Sequence, residues 1–533
     1  MKPTSGATLE APVAEERPPR AQCGAGGHVG THLSWNYVRY AGAYGVAFVS
    51  SVVLARCFRP ADYGVYVGAF AVASFLSMLI SLGLEGSALI LVPKFDSAGD
   101  KRALGSLLRT MLGLRLAAFT LLGLGATLGY CLGWLRITQP ALARYPLSSL
   151  GIYGALALGL SMVDLTSAIL NGLFKFSALC ILDIASGLVT LVAVGGAAYA
   201  GASVRLTLAV AAGAKLAFCG VYIGAFGPQL GHASGWAHPK RLLSSCTSLY
   251  GVRVLQYWVM PAKDVLLLGF LTRDAAQAAF YAVASKAVDI LSNCLTLGFG
   301  GVAQPHFSRL AEEGGRRELG RAWGQFMSFQ ILMSVLPIGY AIAQGGNLLR
   351  FVYSTRYSHS GELLQVAALL MLLETGILGG GVSNKVIFGT EKNRLGLLFI
   401  GGGAAVNLAL AFVLIPSYGA LGAVIATGLA TLVWRAIETG YAIRFLRAAY
   451  PWRPLARVLA CALPAIVVSR SLGPNVFLGS LAYGVVALSL AALLRPIDAH
   501  VLSVLRGCPP ALLKIIGKFS QPERSDAQHL SDN

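Results

Sequence analysis

Gly99-Asp100-Lys101-Arg102-Ala103-Leu104-Gly105 and Gly314-Gly315-Arg316-Arg317-Glu318-Leu319-Gly320 read as one loop written twice. A shorter match leads into each: Pro93-Lys94-Phe95 before the first, Pro305-His306-Phe307 before the second. The copies stand about 215 residues apart, and other landmarks keep that interval within a few residues. Gly172 and Lys175 correspond to Gly389 and Lys392, Tyr66 to Tyr281, Tyr199 to Tyr418, and Arg39 to Arg253. Ordered matches at a nearly constant interval mark an internal duplication.

What lies between the landmarks fixes the environment. The chain has 533 residues, of which 56% are hydrophobic and only 12% charged, with a mean hydropathy of +0.66. A soluble chain carries about 25% charged residues. Half that figure cannot coat a globule in water, which excludes an ordinary soluble protein. Apolar stretches of about 20 residues, enough to cross a hydrocarbon core of about 30 Å, lie near 34–55, 64–84, 106–135, 147–170, 178–200, 204–227, 249–271, 278–300, 323–345, 361–384, 395–415, 419–444, 455–472 and 476–494. Backbone groups in lipid must be satisfied within the segment, so these spans are expected to be helices.

The expectation is an all-α integral membrane protein of about fourteen transmembrane helices. Each repeat holds six spans, an even number, so both copies sit in the bilayer with the same orientation. Two pseudo-symmetric six-helix lobes then surround a central cleft and can rock about it. Spans 13 and 14 fall outside the repeat and should be peripheral. The expected division is a disordered cytoplasmic tail 1–33, an N-lobe 34–227, an inter-lobe linker 228–248, a C-lobe 249–444, helices 13 and 14 within 445–494, and a cytoplasmic tail 495–533. Residues 1–33 lack the basic-then-apolar layout of a cleavable signal peptide.

The net charge of +19 first suggests nucleic acid, but the Lys and Arg residues sit in short loops between apolar runs. Loops on the N-terminal side carry about 17 Lys and Arg against about 9 on the other, which places both termini in the cytoplasm. The nine cysteines are scattered without a CxxC, so no zinc site or disulfide framework is expected. No GxxxxGK[ST] occurs, and no cofactor is expected. Gly379-Gly380-Gly381 and Gly401-Gly402-Gly403 suit close helix packing better than phosphate binding.

Several stretches resemble the multidrug/oligosaccharidyl-lipid/polysaccharide (MOP) flippase superfamily, and within it the polysaccharide transporter branch with its Wzx-like O-antigen and capsule flippases. They are Leu54-Ala-Arg56-Cys-Phe-Arg59-Pro60-Ala-Asp62-Tyr-Gly64-Val-Tyr66, Asp264 with Leu266-Leu-Leu-Gly269, Phe280-Tyr281-Ala-Val-Ala284-Ser-Lys286, Gly389-Thr-Glu391-Lys392 and Tyr418-Gly419-Ala-Leu-Gly422-Ala423. Together they span most of 34–444. The first repeat departs from the second in lacking an acid matching Asp264 and in carrying Ala200 opposite Gly419. The resemblance implies translocation of undecaprenyl-diphosphate-linked sugars, as in lipopolysaccharide or exopolysaccharide assembly, across a bacterial inner membrane. It also implies membrane lipids and other polysaccharide-assembly proteins as partners, and no nucleic acid.

Flipping makes no covalent bond. It needs a polar path for a diphosphate and sugars while the lipid tail stays in the bilayer. Arg39 and Arg253 are the expected diphosphate contacts, because a guanidinium presents a planar fork of donors to phosphate oxygens; snorkelling to the headgroups is the alternative. Lys263 is a third candidate, deeper in span 7. It adjoins Asp264, but neighbours along a helix point in different directions, so no pairing is required. Pro261 should kink span 7 and make it a gate. Asp164 and Glu374 are lone carboxylates within apolar spans, where a charge costs about 2.5–3.5 kcal/mol on insertion scales. With Asp264 they are candidates for binding a coupling H+ or Na+. Lys286 with Asp289, and Arg435 with Glu438, read as structural pairs three residues apart.

These features favour a flippase working by alternating access over two rivals. An ion-coupled small-molecule antiporter of the same superfamily is disfavoured by basic cleft residues. An integral-membrane polymerase or glycosyltransferase would carry catalytic acids or arginines in long loops, and the loops here are short.

Overall fold

The computed structural model describes residues 26–131, 147–232, 246–311 and 315–495, less short gaps between 248 and 305. Residues 1–25, 233–245 and 496–533 lie outside the described residues, and with them most of both expected tails and of the linker. The described residues are helical, with no strand among them. In the first half the helices are α1 (Gly26–Cys57), α2 (Pro60–Ser81), α3 (Leu84–Ser97), α4 (Lys101–Cys131), α5 (Leu147–Gly172), α6 (Phe176–Tyr199) and α7 (Val204–Ala225). In the second they are α8 (Pro261–Leu271), α9 (Ala275–Thr296), α10 (Arg316–Tyr353), α11 (Ser358–Met371), α12 (Val382–Gly389) and α13 (Asn393–Leu446), followed by α14 (Trp452–Ser471) and α15 (Val476–Leu494).

Eleven stretches among the described residues are helical, long and apolar enough to cross a membrane. One of them, α13, reverses at Gly419, whose φ of 55° and ψ of −130° are not helical, so it holds two spans. Spans 7 and 8, described in part by α8 and α9, complete the expected fourteen. The apolar surface is turned outward: Leu121, Val192 and Leu493 are 70%, 72% and 76% exposed. That is the reverse of a soluble protein, and it suits a lipid surround.

The duplication extends to the backbone. After α5, Phe174 takes φ 56° and the Lys175 N–H reaches back to the Leu170 carbonyl at 3.0 Å. After α12, Glu391 takes φ 58° and the Lys392 N–H reaches the Ile387 carbonyl at 3.0 Å. Both are left-handed helix stops of the same form. The departure at Ala200 has a local remedy. The left-handed glycine of that turn is Gly201, with φ 77°, one residue beyond the position of Gly419.

The two halves meet where α2 crosses α9. A Cβ on Gly64 would lie 1.7 Å from the Ala275 carbonyl oxygen, so only glycine permits this approach. Around it lies a buried aromatic layer of Tyr63, Tyr66, Tyr353 and Tyr357. Ser51 and Tyr353 share a hydroxyl hydrogen bond of 2.7 Å, and Arg56 donates to the Val352 and Phe351 carbonyls at 2.7 and 2.9 Å. All these bonds tie the first half of the chain to the second at one end. Helices α14 and α15 pack against α10, where Tyr483 donates to the Leu336 carbonyl at 2.6 Å and Gln344 to Ser469 at 3.0 Å.

Candidate functional site

Charges buried in an apolar bundle must find one another, and here they form a row. On α1, Arg39 donates through Nε to Asp183 of α6, and the Tyr222 hydroxyl of α7 donates to the same carboxylate. Lys215, also on α7, lies within electrostatic reach of both Asp183 and Asp164. It forms no ion pair within 4.0 Å among the described residues, and its stem packs over Gly159 of α5. Asp164 on α5 accepts from Arg253 Nη2 at 3.2 Å. The sequence of signs is Arg39, Asp183, Lys215, Asp164, Arg253.

The last link joins the two halves of the chain. It is also the most open, with the Arg253 and Asp164 side chains 41% and 48% exposed, whereas Arg39 and Asp183 are each 15% exposed. Beneath it, Arg115 of α4 is fully buried. It donates to Glu85 of α3 at 2.7 Å and to Ser161 of α5. Among the described residues its Nε has no partner. Glu85 and Arg115 both act electrostatically on Asp164. The whole cluster sets four cations against three carboxylates.

The second half has its own polar centres. Lys263 and Asp264 are both fully buried and paired. Asp264 also accepts from the Tyr281 hydroxyl at 2.6 Å and from Thr427 at 2.7 Å. The sequence does not require these neighbours to pair, and the structure pairs them. The Lys stem is flexible enough to bring its ammonium to the adjacent carboxylate, and both side chains are closed off from solvent. Residues 259 and 260 lie outside the described residues, so the expected kink at Pro261 falls at the edge of what is described; from Pro261 onward the chain is helical as α8. Further along, Glu374 sits in a π turn, Leu372–Ile377. Arg435 lies between Glu374 at 3.6 Å and Glu438 at 2.8 Å, and Asn384 donates to Glu438 at 2.6 Å.

Arg39 and Arg253 thus belong to one row, each already holding a carboxylate. Asp164 and Glu374 are not lone; their partners lie on other helices, 89 and 61 residues away along the chain. Lys263, Asp264 and Glu374 belong to centres in the other half. Sequence reasoning missed Asp183, Lys215, Arg115 and Glu85. The first three stand within apolar spans as plainly as Asp164 does, and the same insertion-cost argument singles them out. Among the described residues no group of His, Cys, Asp and Glu is arranged to hold a metal ion.

A family model described as polysaccharide biosynthesis protein matches residues 30–311, just over half of the chain. No curated protein sequence matches it. Among solved structures, the chain is similar to the lipid II flippase MurJ in an inward closed conformation: 13% identity over 86% of this chain and 98% of that one, with a TM-score of 0.67. It is similar to an inward-facing multidrug resistance MATE family transporter of the MOP superfamily, at 10% identity over 77% and 98%, with a TM-score of 0.60. A MOP superfamily transporter from Pyrococcus furiosus gives 11% identity over 79% and 96%, with a TM-score of 0.50. At such identities the likeness to solved structures speaks for the fold, while the family model speaks for descent. The chain belongs to the polysaccharide biosynthesis protein family, a flippase family of the MOP superfamily, and is a multi-pass membrane transporter.

Proposed function

We propose that this protein flips a lipid-diphosphate-linked oligosaccharide, the repeat unit of a surface polysaccharide, across a bacterial inner membrane by alternating access. The observation that carries the reading is the charge row ending in the Arg253–Asp164 pair, which bridges the halves and is open to a ligand. A diphosphate offers several anionic oxygens at once. It can replace Asp164 on Arg253 and draw on Lys215 and Arg39 as well, and charge-assisted bonds to phosphate are strong in such a setting. Displacing an inter-lobe ion pair by cargo frees the lobes to rock. The sugars then leave on the far side while the lipid tail stays in the bilayer.

In this reading 34–227 and 249–444 are the moving lobes, both termini are cytoplasmic, and the polysaccharide-assembly machinery supplies and removes the cargo. Lys263 and Asp264 anchor span 7, because Asp264 already accepts three donors, and Pro261 beside them supplies the kink of a gate. A coupling H+ or Na+ is better sought at Asp164 and Glu374, each of which shares its arginine with a second demand: cargo for Arg253, and Glu438 for Arg435.

The test is a flipping assay in reconstituted vesicles with a lipid-diphosphate oligosaccharide. Arg253→Ala and Arg39→Ala should each lower the rate at least tenfold. Wild-type rates in both variants, with folding verified, would remove the diphosphate contact from the proposal.

A further inference from the structure

A second basic site lies away from the charge row, at one end of the C-lobe. The first turns of α10 and the residues at and just beyond the end of α13 border an open cavity of about 570 Å³ lined by Arg316, Arg317, Arg321 and Arg447. The two helix ends can meet because Gly320 faces Leu446 and Ala448; a Cβ there would lie 3.3 Å from the Ala448 Cβ. Gly324 also lines the cavity, with nothing within 4 Å of where its Cβ would be. Among the described residues, none of the four arginines has a carboxylate within 4.0 Å, including Glu318 in the same first turn; Glu312 and Glu313, just upstream, lie outside the described residues. Arg317 and Arg321 are one helical turn apart, where like charges repel. Arg316 is held in place by its bond to the Phe445 carbonyl and by the Phe445 ring, 4.9 Å away.

The internal repeat supplies a comparison within the same molecule. In the N-lobe the equivalent helix, α4, follows Asp100, whose carboxylate accepts from the Ala103 N–H at 2.9 Å. In the C-lobe the matching residue is Gly315, which has no side chain to supply the bond that Asp100 makes. One repeat carries its own anion at this position. The other has a glycine there, with an adjoining cavity and converging arginines.

We propose that this cavity binds the phosphate of an anionic membrane-lipid headgroup. Guanidinium groups and a helix N-terminus both select phosphate. Both helices that form the cavity are membrane spans, which puts it at the level of the headgroups. Trp452 stands 66% exposed beside Tyr450, just beyond Arg447, as interfacial aromatics do. A cavity of this size also falls within the usual range for small-ligand sites.

The test uses the purified full chain in neutral detergent, with phosphatidylglycerol, phosphatidylcholine and inorganic phosphate as probes, read by native mass spectrometry and by thermal unfolding. Phosphatidylglycerol should bind and raise the unfolding midpoint, and phosphatidylcholine should do neither. Gly315→Asp is the decisive variant. Its Cβ has open space, and the backbone there, at φ −77° and ψ 163°, is ordinary for aspartate. It should weaken phosphatidylglycerol binding about tenfold while leaving unliganded stability unchanged or higher. Arg317→Gln with Arg321→Gln should weaken binding at least as much. Arg444→Gln, which removes a nearby charge that does not line the cavity, should stay within twofold of wild type. Equal losses in Arg444→Gln and Gly315→Asp would reduce the effect to diffuse charge and overturn the site. Binding of inorganic phosphate without phosphatidylglycerol would overturn the lipid source.

Discussion

Asp264 shows how a buried charge acts in this protein. Its carboxylate holds Lys263, Tyr281 and Thr427 together in a pocket closed off from the surface. Asp264→Ala leaves the Lys263 ammonium buried and unpaired, and breaking such a pair from one side costs about 3–5 kcal/mol. Denaturant unfolding in detergent should register a loss of that size. The double variant Lys263→Met with Asp264→Asn keeps an acceptor for both hydroxyls and removes the orphan charge, so it should lose less than half as much. A double variant as unstable as the single one would refute the account. The adjacency of Lys263 and Asp264 was legible in the sequence, but their pairing was not. It depends on Tyr281 and Thr427 closing the pocket from α9 and α13.

Helix packing turns on a few residues without side chains. Gly64 lets α2 lie against the carbonyl of Ala275 at the head of α9, and a methyl group at that point would occupy the oxygen's own space. Gly64→Ala must therefore push the two helices apart and open the tyrosine layer between the halves. A cysteine replacing Ser51, which is buried in that layer, should react slowly with a maleimide in the native background and at least tenfold faster beside Gly64→Ala. Equal rates would mean that the layer does not depend on this contact. The sequence marks Gly64 only as part of a family-like stretch. Its necessity comes from a backbone 211 positions further on, which no local pattern announces. The stops after α5 and α12 are the opposite case. Their left-handed residues, Phe174 and Glu391, sit at matched places in the repeat, and the match was legible before any coordinates.

At the scale of the molecule, the Arg253–Asp164 pair is one of the bonds that hold the halves in the observed arrangement. It is more than a third exposed, so it is worth at most about 1 kcal/mol, or roughly a fivefold shift in population. Asp164→Asn should move the lobes toward the alternative arrangement by no more than that, as read from distances between labels on the two lobes. Arg253→Gln should do the same, and the double variant should match either single one if the pair is the cause. Additive effects would assign the two residues separate roles.

Composition and the length of the apolar runs determined that this chain crosses a membrane as helices, because lipid leaves a backbone no other way to satisfy its hydrogen bonds. The repeat determined that the helices form two like-oriented lobes. Which charges meet was decided only by the tertiary structure. Arg39 finds Asp183, Asp164 finds Arg253, and Glu374 finds Arg435 across separations of 61 to 144 residues. Helical periodicity fixes neighbours three and four residues apart, and it carries no information about the helix that packs alongside. The low dielectric around each charge makes a partner necessary, and the packing of the bundle decides which partner it is.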